Sequence, residues 1–160
     1  MYVTGLTHDE RGYPSLSPAG QKRLVGRLVD KIRKNADRIA RYEEEGLEDA
    51  DVVVVSYGIT SRVARRGAEL ARAQGIKVGF LRLIVVWPFP ENRIRALAST
   101  VRALVVAELN LGQMVFEVER AARGKCSTVL VGSSGGEVHD PSVIADAIVK
   151  AAQNGGNHVG

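Results

Sequence analysis

Cysteine is almost missing from this sequence of 160 residues; Cys126 stands alone. A single thiol excludes an intrachain disulfide and a self-contained cysteine metal site, and it suits a reducing, cytoplasmic compartment. Histidine is scarce too. His8, His139 and His158 do not fall at metal-ligand spacings, so no metal site is expected. Aromatic residues make up only 5% of the chain. Despite a formal charge of +4, that scarcity weighs against nucleic acid as a partner. The basic residues are spread among acids along amphipathic helices and are not gathered with stacking side chains. No apolar run exceeds the one from Leu83 to Trp87, far short of the roughly 20 residues a membrane-spanning helix needs. No basic-then-apolar leader opens the chain. Neither a membrane partner nor secretion is expected. The dinucleotide fingerprint G-x-G-x-x-G, the Walker ending G-K-[ST] and a nucleophile elbow around Ser134 are all lacking.

What is present is a regular alternation. Hydrophobic content of 45% and charged content of 25% are those of an ordinary globular domain. The first residues, 1–17, hold no sustained period and read as an extended, turn-rich arm, with a turn at His8-Asp9-Glu10 suited to docking on another surface. Ser17-Pro18 opens a helix, Ser as N-cap and Pro at the first helical position. Val25, Leu28, Ile32, Ala36 and Ile39 form one apolar stripe on it. That helix is expected to run over 18–45, fraying at Glu43-Glu44-Glu45, which sit at the unfavourable end of the macrodipole, and stopping at Gly46. Four strands follow, at about 51–57, 77–86, 103–108 and 127–132, rich in β-branched residues as in strands buried on both faces. Helices are expected at about 61–74, 91–99, 112–122 and 141–153, the last capped by Asp140. Together 18–153 read as one α/β domain, and 154–160 as a disordered tail.

Short connections between alternating strands and helices imply parallel strands covered on both faces, a three-layer α/β/α open sheet. The expected parallel strand order is 2-1-3-4. Ligands and partners gather at the carboxyl ends of such strands, and there the unusual residues fall. The first strand ends in Tyr57-Gly58-Ile59-Thr60-Ser61 and the third in Glu108-Leu109-Asn110-Leu111-Gly112-Gln113. In the expected order these loops face one crevice. Gly58 relieves crowding in a tight turn, and Thr60 or Ser61 caps the next helix; the sharper reading adds an anion or a partner carboxylate resting on that helix start. Glu108 and Asn110 either satisfy the backbone donors of the turn and cap the next helix or bind a donor from a ligand or neighbouring subunit, with Arg62 as a possible counterion. Because a buried unpaired carboxylate costs several kcal/mol, solvent or a partner is expected around Glu108. Replacing Glu108 with Ala should then leave the fold intact. Ser133 to Gly136 reads as a flexible loop rather than an anion nest. Trp87, between apolar residues and Pro88, reads as core, with an interface anchor as the alternative.

In order, "HDERGYP", "YGITSR", "WPFPE" and "ELNLGQM" make this chain resemble the C-terminal region of the alpha subunit of 2-oxoacid:ferredoxin oxidoreductases, and the 2-oxoglutarate type above the pyruvate type. The resemblance runs from about Val3 to Ala151. It implies a fold similar to the transketolase C-terminal domain, whose sheet has an antiparallel edge strand; here the arm near Tyr2 to Leu6 would supply it, or it is missing. It further implies a whole enzyme that decarboxylates a 2-oxoacid on thiamine diphosphate and magnesium, passes electrons through iron–sulfur clusters to ferredoxin, and forms an acyl-CoA. The N-terminal alpha domain and the beta subunit would be direct partners.

This chain lacks the thiamine diphosphate signature, and one cysteine cannot supply an iron–sulfur cluster. Cofactors are therefore expected on the rest of the enzyme and none on this chain, which alone should not catalyse the reaction. The chain is expected to be an excised domain, with Met1 either native or added at its boundary. The expected role is subunit assembly and the shaping of an active-site entrance through Tyr57, Gly58, Thr60, Ser61, Glu108, Asn110, Gly112 and Gln113. The alternative is a free-standing doubly wound module that binds a small anion at the same edge.

Overall fold

The computed structural model describes residues 5–154. They divide at Ile39 and Ala40 into two compact units. In the first, Asp9 organises a turn: its Oδ1 accepts from the backbone N–H of Arg11 at 2.9 Å and of Tyr13 at 3.0 Å. Helix α1, Pro18–Arg33, starts as its sequence dictates, with the Ser17 hydroxyl accepting from Gly20 N–H at 3.0 Å. It stops earlier than expected. Asn35 Nδ2 donates to the Lys31 carbonyl at 2.9 Å, and only the short helix α2, Ala36–Ile39, follows. Of the residues in α1, Gly20 alone is buried.

The single helix over 18–45 is thus corrected. The glutamates expected to fray from a helix form strand β1, Tyr42–Glu45. Strand alternation explains why three consecutive carboxylates are stable there. Glu43 and Glu45 point to one face, where Arg82 lies 3.1 Å from Glu43 and Arg65 lies 2.6 Å from Glu45. Glu44 points to the other face, where the Arg93 guanidinium reaches it at 3.1 Å.

The second unit continues with β2 Val52–Tyr57, α3 Thr60–Ala73, β3 Val78–Leu83, α4 Glu91–Ala98, β4 Ala103–Glu108, α5 Met114–Ala122, β5 Ser127–Gly132 and α6 Pro141–Asn154. The sheet order is β1-β3-β2-β4-β5. β1 runs antiparallel to β3, with Glu43 opposite Arg82, and the other pairings are parallel. The expected parallel order 2-1-3-4 is therefore present. The antiparallel edge strand also exists, supplied by Tyr42–Glu45. Residues Tyr2 to Thr4, part of the arm expected to supply it, and 155–160, nearly all of the expected disordered tail, lie outside the described residues.

Period-two alternation sends the strands' side chains into two cores. Val52, Val54, Phe80, Val105 and Ala107 pack with Ala64, Ala68, Ile144 and Ile148 of α3 and α6. Val53, Val55, Leu81, Leu104 and Val106 pack with Ile94, Leu97 and Val118 of α4 and α5. Each fully buried side chain of this size contributes about 1.5–3 kcal/mol. Gly67 sets the spacing of α3 and α6, since a Cβ there would lie 2.8 Å from Ile144 Cβ.

Candidate functional site

β3, β2 and β4 are adjacent and parallel, so their carboxyl ends share one rim, and the chain reverses direction across the sheet between β2 and β4. The Tyr57 and Glu108 loops meet there. The Tyr57 hydroxyl donates to Glu108 Oε2 at 3.1 Å. Asn110 Nδ2 lies 3.1 Å from both the Tyr57 hydroxyl oxygen and Glu108 Oε2, donating to each. The backbone N–H of Met114 donates to Oε2 at 3.0 Å, and those of Gln113 and Val115 donate to Oε1 at 3.1 Å each. Five donors therefore converge on one fully buried carboxylate. Three of them are the free N–H groups that begin α5, where the helix dipole also favours a negative charge. The Asn110 side chain holds the turn, its Oδ1 accepting from Gly112 N–H at 2.8 Å. Gly112 has φ +114°, a conformation open to glycine and costly to other residues. Gly132 completes the packing, because a Cβ there would lie 2.6 Å from the Asn110 carbonyl oxygen.

Electrostatics follow from these contacts. Burial pushes the Glu108 pKa up; the N–H groups of Met114, Gln113 and Val115 and the Asn110 amide outweigh it, so the carboxyl titrates below its ordinary range. Burial raises the Tyr57 phenol, and the Glu108 charge and hydrogen bond raise it further.

The structure shows the capping use of Glu108 and corrects three other expectations. Neither solvent nor a partner completes Glu108: the carboxylate is satisfied within the chain, as an anionic cap for α5. Its replacement with Ala would strip the start of that helix, so the fold is not expected to be indifferent to it. Arg62 forms no ion pair with Glu108; the backbone donors take the place of a counterion. The capping of α3 is corrected as well. Thr60 and Ser61 are buried, the residue before the helix is Ile59, and no side-chain hydrogen bond caps it. Ser61 Oγ is buried without a partner. Gly58, at φ +58°, makes the sharp turn between β2 and α3.

Sequence reasoning missed what the rim presents outward. Ile59 is 50% exposed, Ile84 44% and Leu111 75%, each just beyond the carboxyl end of a neighbouring strand. Phe116, in the first turns of α5, is 62% exposed. Trp87, expected in the core, is 70% exposed, just before the cis bond to Pro88. A signal was available for Ile59 and Leu111, apolar residues inside otherwise polar loops; Ile84 and Trp87 lie in the apolar run Leu83 to Trp87, and Phe116 in an amphipathic helix, where sequence alone gives none.

Cofactor chemistry finds few ligands on this chain. Among the described residues no group of three or more His, Cys, Asp or Glu side chains is arranged to hold a metal ion. Cys126 is buried, and burial pushes its thiol up to about 11 against a hydrogen bond with the Leu104 backbone. A lone protonated thiol does not fit an iron–sulfur cluster.

The chain is 48% identical over 149 residues to 2-oxoglutarate synthase subunit KorA of Methanothermobacter thermautotrophicus, a match covering 92% of this chain and 40% of that protein. It is 40% identical over 125 residues to ketoisovalerate oxidoreductase subunit VorB of the same organism, covering 78% of this chain and 35% of the other. The chain thus spans about two-fifths of the length of the curated relatives it matches. Among solved structures, the 2-oxoglutarate:ferredoxin oxidoreductase of Magnetococcus marinus, bound to 2-oxoglutarate, coenzyme A and succinyl-CoA, superposes with a TM-score of 0.74 at 27% identity. That match covers 94% of this chain and 26% of that one. A split-gene transketolase superposes at a TM-score of 0.61 and 23% identity over 71% of this chain and 41% of that one, a likeness of fold. The model of pyruvate:ferredoxin oxidoreductase core domain II matches residues 50–144, the whole of the parallel sheet and more than half the chain, and to that family the chain belongs.

Proposed function

We propose that this chain is the non-catalytic alpha-subunit domain of a thiamine diphosphate-dependent 2-oxoacid:ferredoxin oxidoreductase. The carboxyl rim of its sheet docks on other parts of the enzyme and shapes the approach to the active site. The observation that carries this reading is the division of labour at the rim. Glu108 occupies the N–H groups at the start of α5, which leaves them unavailable to an anionic ligand, while Ile59, Ile84, Trp87, Leu111 and Phe116 face outward. Exposed apolar side chains clustered at one edge fit a protein interface better than an anion site. Tyr57, Asn110, Gly112 and Gln113 act through Glu108 as positioning residues, and Gly58, Thr60 and Ser61 fix the β2–α3 turn.

In the whole enzyme, thiamine diphosphate, magnesium and the iron–sulfur clusters sit on other domains and subunits, and ferredoxin and coenzyme A meet it there. The 2-oxoacid is 2-oxoglutarate, in keeping with the names of the relatives at 44–48% identity. The lone reduced thiol fits a cytoplasmic enzyme; no helix among the described residues is long and apolar enough to cross a membrane.

Size-exclusion chromatography of the chain, mixed with the separately produced N-terminal alpha domain and beta subunit of its oxidoreductase, tests the reading. Co-elution is expected, together with its loss in the Trp87→Ser, Leu111→Ser double variant at an unchanged melting temperature. Two-oxoglutarate oxidation by the chain alone would contradict the proposal. So would a rise in its melting temperature with a small anion in place of co-elution.

A further inference from the structure

Helix α1 carries an apolar stripe that its own unit leaves uncovered. Val25 is 44% exposed, Leu28 50% and Val29 38%, with Leu24 and Ile32 half-buried beside them. At about 100° per residue these five side chains share one side of the helix. The charges are arranged around that stripe. Lys22 and Arg33 fall along the border next to Val29; Arg27 and Lys31 fall along the border next to Leu24. Asp30, the one acid of α1, falls on the opposite side, where it pairs with Lys34 at 2.7 Å. Among the described residues Lys22, Arg27, Lys31 and Arg33 have no ion-pair partner.

From this pattern we infer that α1 docks in an apolar groove rimmed on both sides by carboxylates, on a protein surface of the assembled oxidoreductase outside this chain. The inference rests on the function proposed above and adds a second surface with its own chemistry. Charge complementarity selects the occupant. A second copy of α1 would bring like-charged borders together, a costly arrangement. A lipid surface also attracts basic amphipathic helices, but this stripe holds no aromatic anchor. The matched oxidoreductase structure covers 94% of this chain, so most of the segment before Ala40 has a counterpart within an enzyme chain almost four times its length. Seating an amphipathic helix through i, i+3, i+4 and i+7 anchors in a groove is a common recognition mode, here Val25, Leu28, Val29 and Ile32.

The test titrates the chain, labelled away from α1, against the remainder of its oxidoreductase at several salt concentrations. The Val25→Ser, Leu28→Ser variant is expected to raise Kd at least about tenfold at every salt concentration. The Arg27→Glu, Lys31→Glu variant is expected to raise it as much at low salt and far less at 1 M, where screening acts within about 3 Å. A photo-crosslinker in place of Leu28 should capture a partner peptide containing Asp or Glu. All variants should melt within about 1 °C of the wild type, since they replace exposed side chains. Assembly with unchanged Kd in both variants overturns this inference alone. A fall of several degrees in melting temperature also overturns it, because the stripe would then be packing on its own chain. Stripe-dependent sedimentation with phosphatidylglycerol vesicles, without enzyme binding, assigns the helix to a membrane and overturns it too. If the wild-type chain does not join the enzyme at all, the proposed function fails and takes this inference with it.

Discussion

Replacing Glu108 with Gln removes one charge and almost no volume, and the structure predicts a large penalty. Oε1 accepts two hydrogen bonds and Oε2 accepts three, and every partner is a donor. A glutamine must turn its NH2 group toward one of these sets, so at least two donors lose their acceptor. Leaving a buried polar group unsatisfied costs about 1–3 kcal/mol. Two such losses give about 3 kcal/mol after relaxation, a large part of the roughly 5–15 kcal/mol that holds a domain together. At about 2–4 °C per kcal/mol for a chain of this size, the melting temperature should fall by about 6–12 °C. The pH dependence identifies the cause. Folding lowers the Glu108 pKa, so its contribution is complete above the unfolded value of about 4.3 and is lost as pH falls through the folded value. The gap between wild type and variant should thus be full at neutral pH and narrow as pH falls below about 4.3 toward the folded value. Calorimetry across pH 3–7 measures it. A shift under about 2 °C, or a gap that persists undiminished in acid, refutes the anionic-cap reasoning.

Other perturbations separate the packing from the polar network. Tyr57→Phe removes one donor to Glu108 and one acceptor for Asn110, and should cost about 1–2 kcal/mol in urea denaturation. In the Glu108→Gln variant, the Tyr57 phenol should titrate at lower pH than in wild type, followed by its ultraviolet absorbance. Gly67→Ala drives a Cβ into Ile144 and should destabilise by about 1–3 kcal/mol through overpacking. Native Cys126, with its thiol near 11, should alkylate more than about 100-fold slower at pH 7 than an ordinary exposed thiol, and at the ordinary rate in urea.

The parallel sheet was legible because its signal is repetitive. Each β-branched run, from Val52 to Val131, is followed by a short turn and an amphipathic helix, and crossover rules leave few ways to arrange them. β1 was not legible, since Glu43-Glu44-Glu45 has no strand propensity of its own. Arg65, Arg82 and Arg93 stabilise it from twenty to fifty residues away, a tertiary effect that local patterning does not contain. At the rim the sequence named residues that the fold brings together, and of the two uses it offered for Glu108 the structure shows the helix cap. Glu108 drew attention as a carboxylate at a sheet edge, yet the register that places it beneath the start of α5 is visible only in three dimensions. The exposed Trp87 was misread for a related reason: an aromatic between apolar neighbours and a proline looks like core until the direction of the chain is known.

The proposed docking face is the carboxyl rim, held in place by an internally satisfied carboxylate. Trp87 is the only tryptophan in the chain, so 5-fluorotryptophan gives a single fluorine resonance at the rim. On titration with the remaining subunits, that resonance should move to a new position, saturate at one equivalent, and lose its solvent isotope shift as the indole leaves water. Demonstrated assembly with the resonance unmoved and still solvent-sensitive would contradict the account.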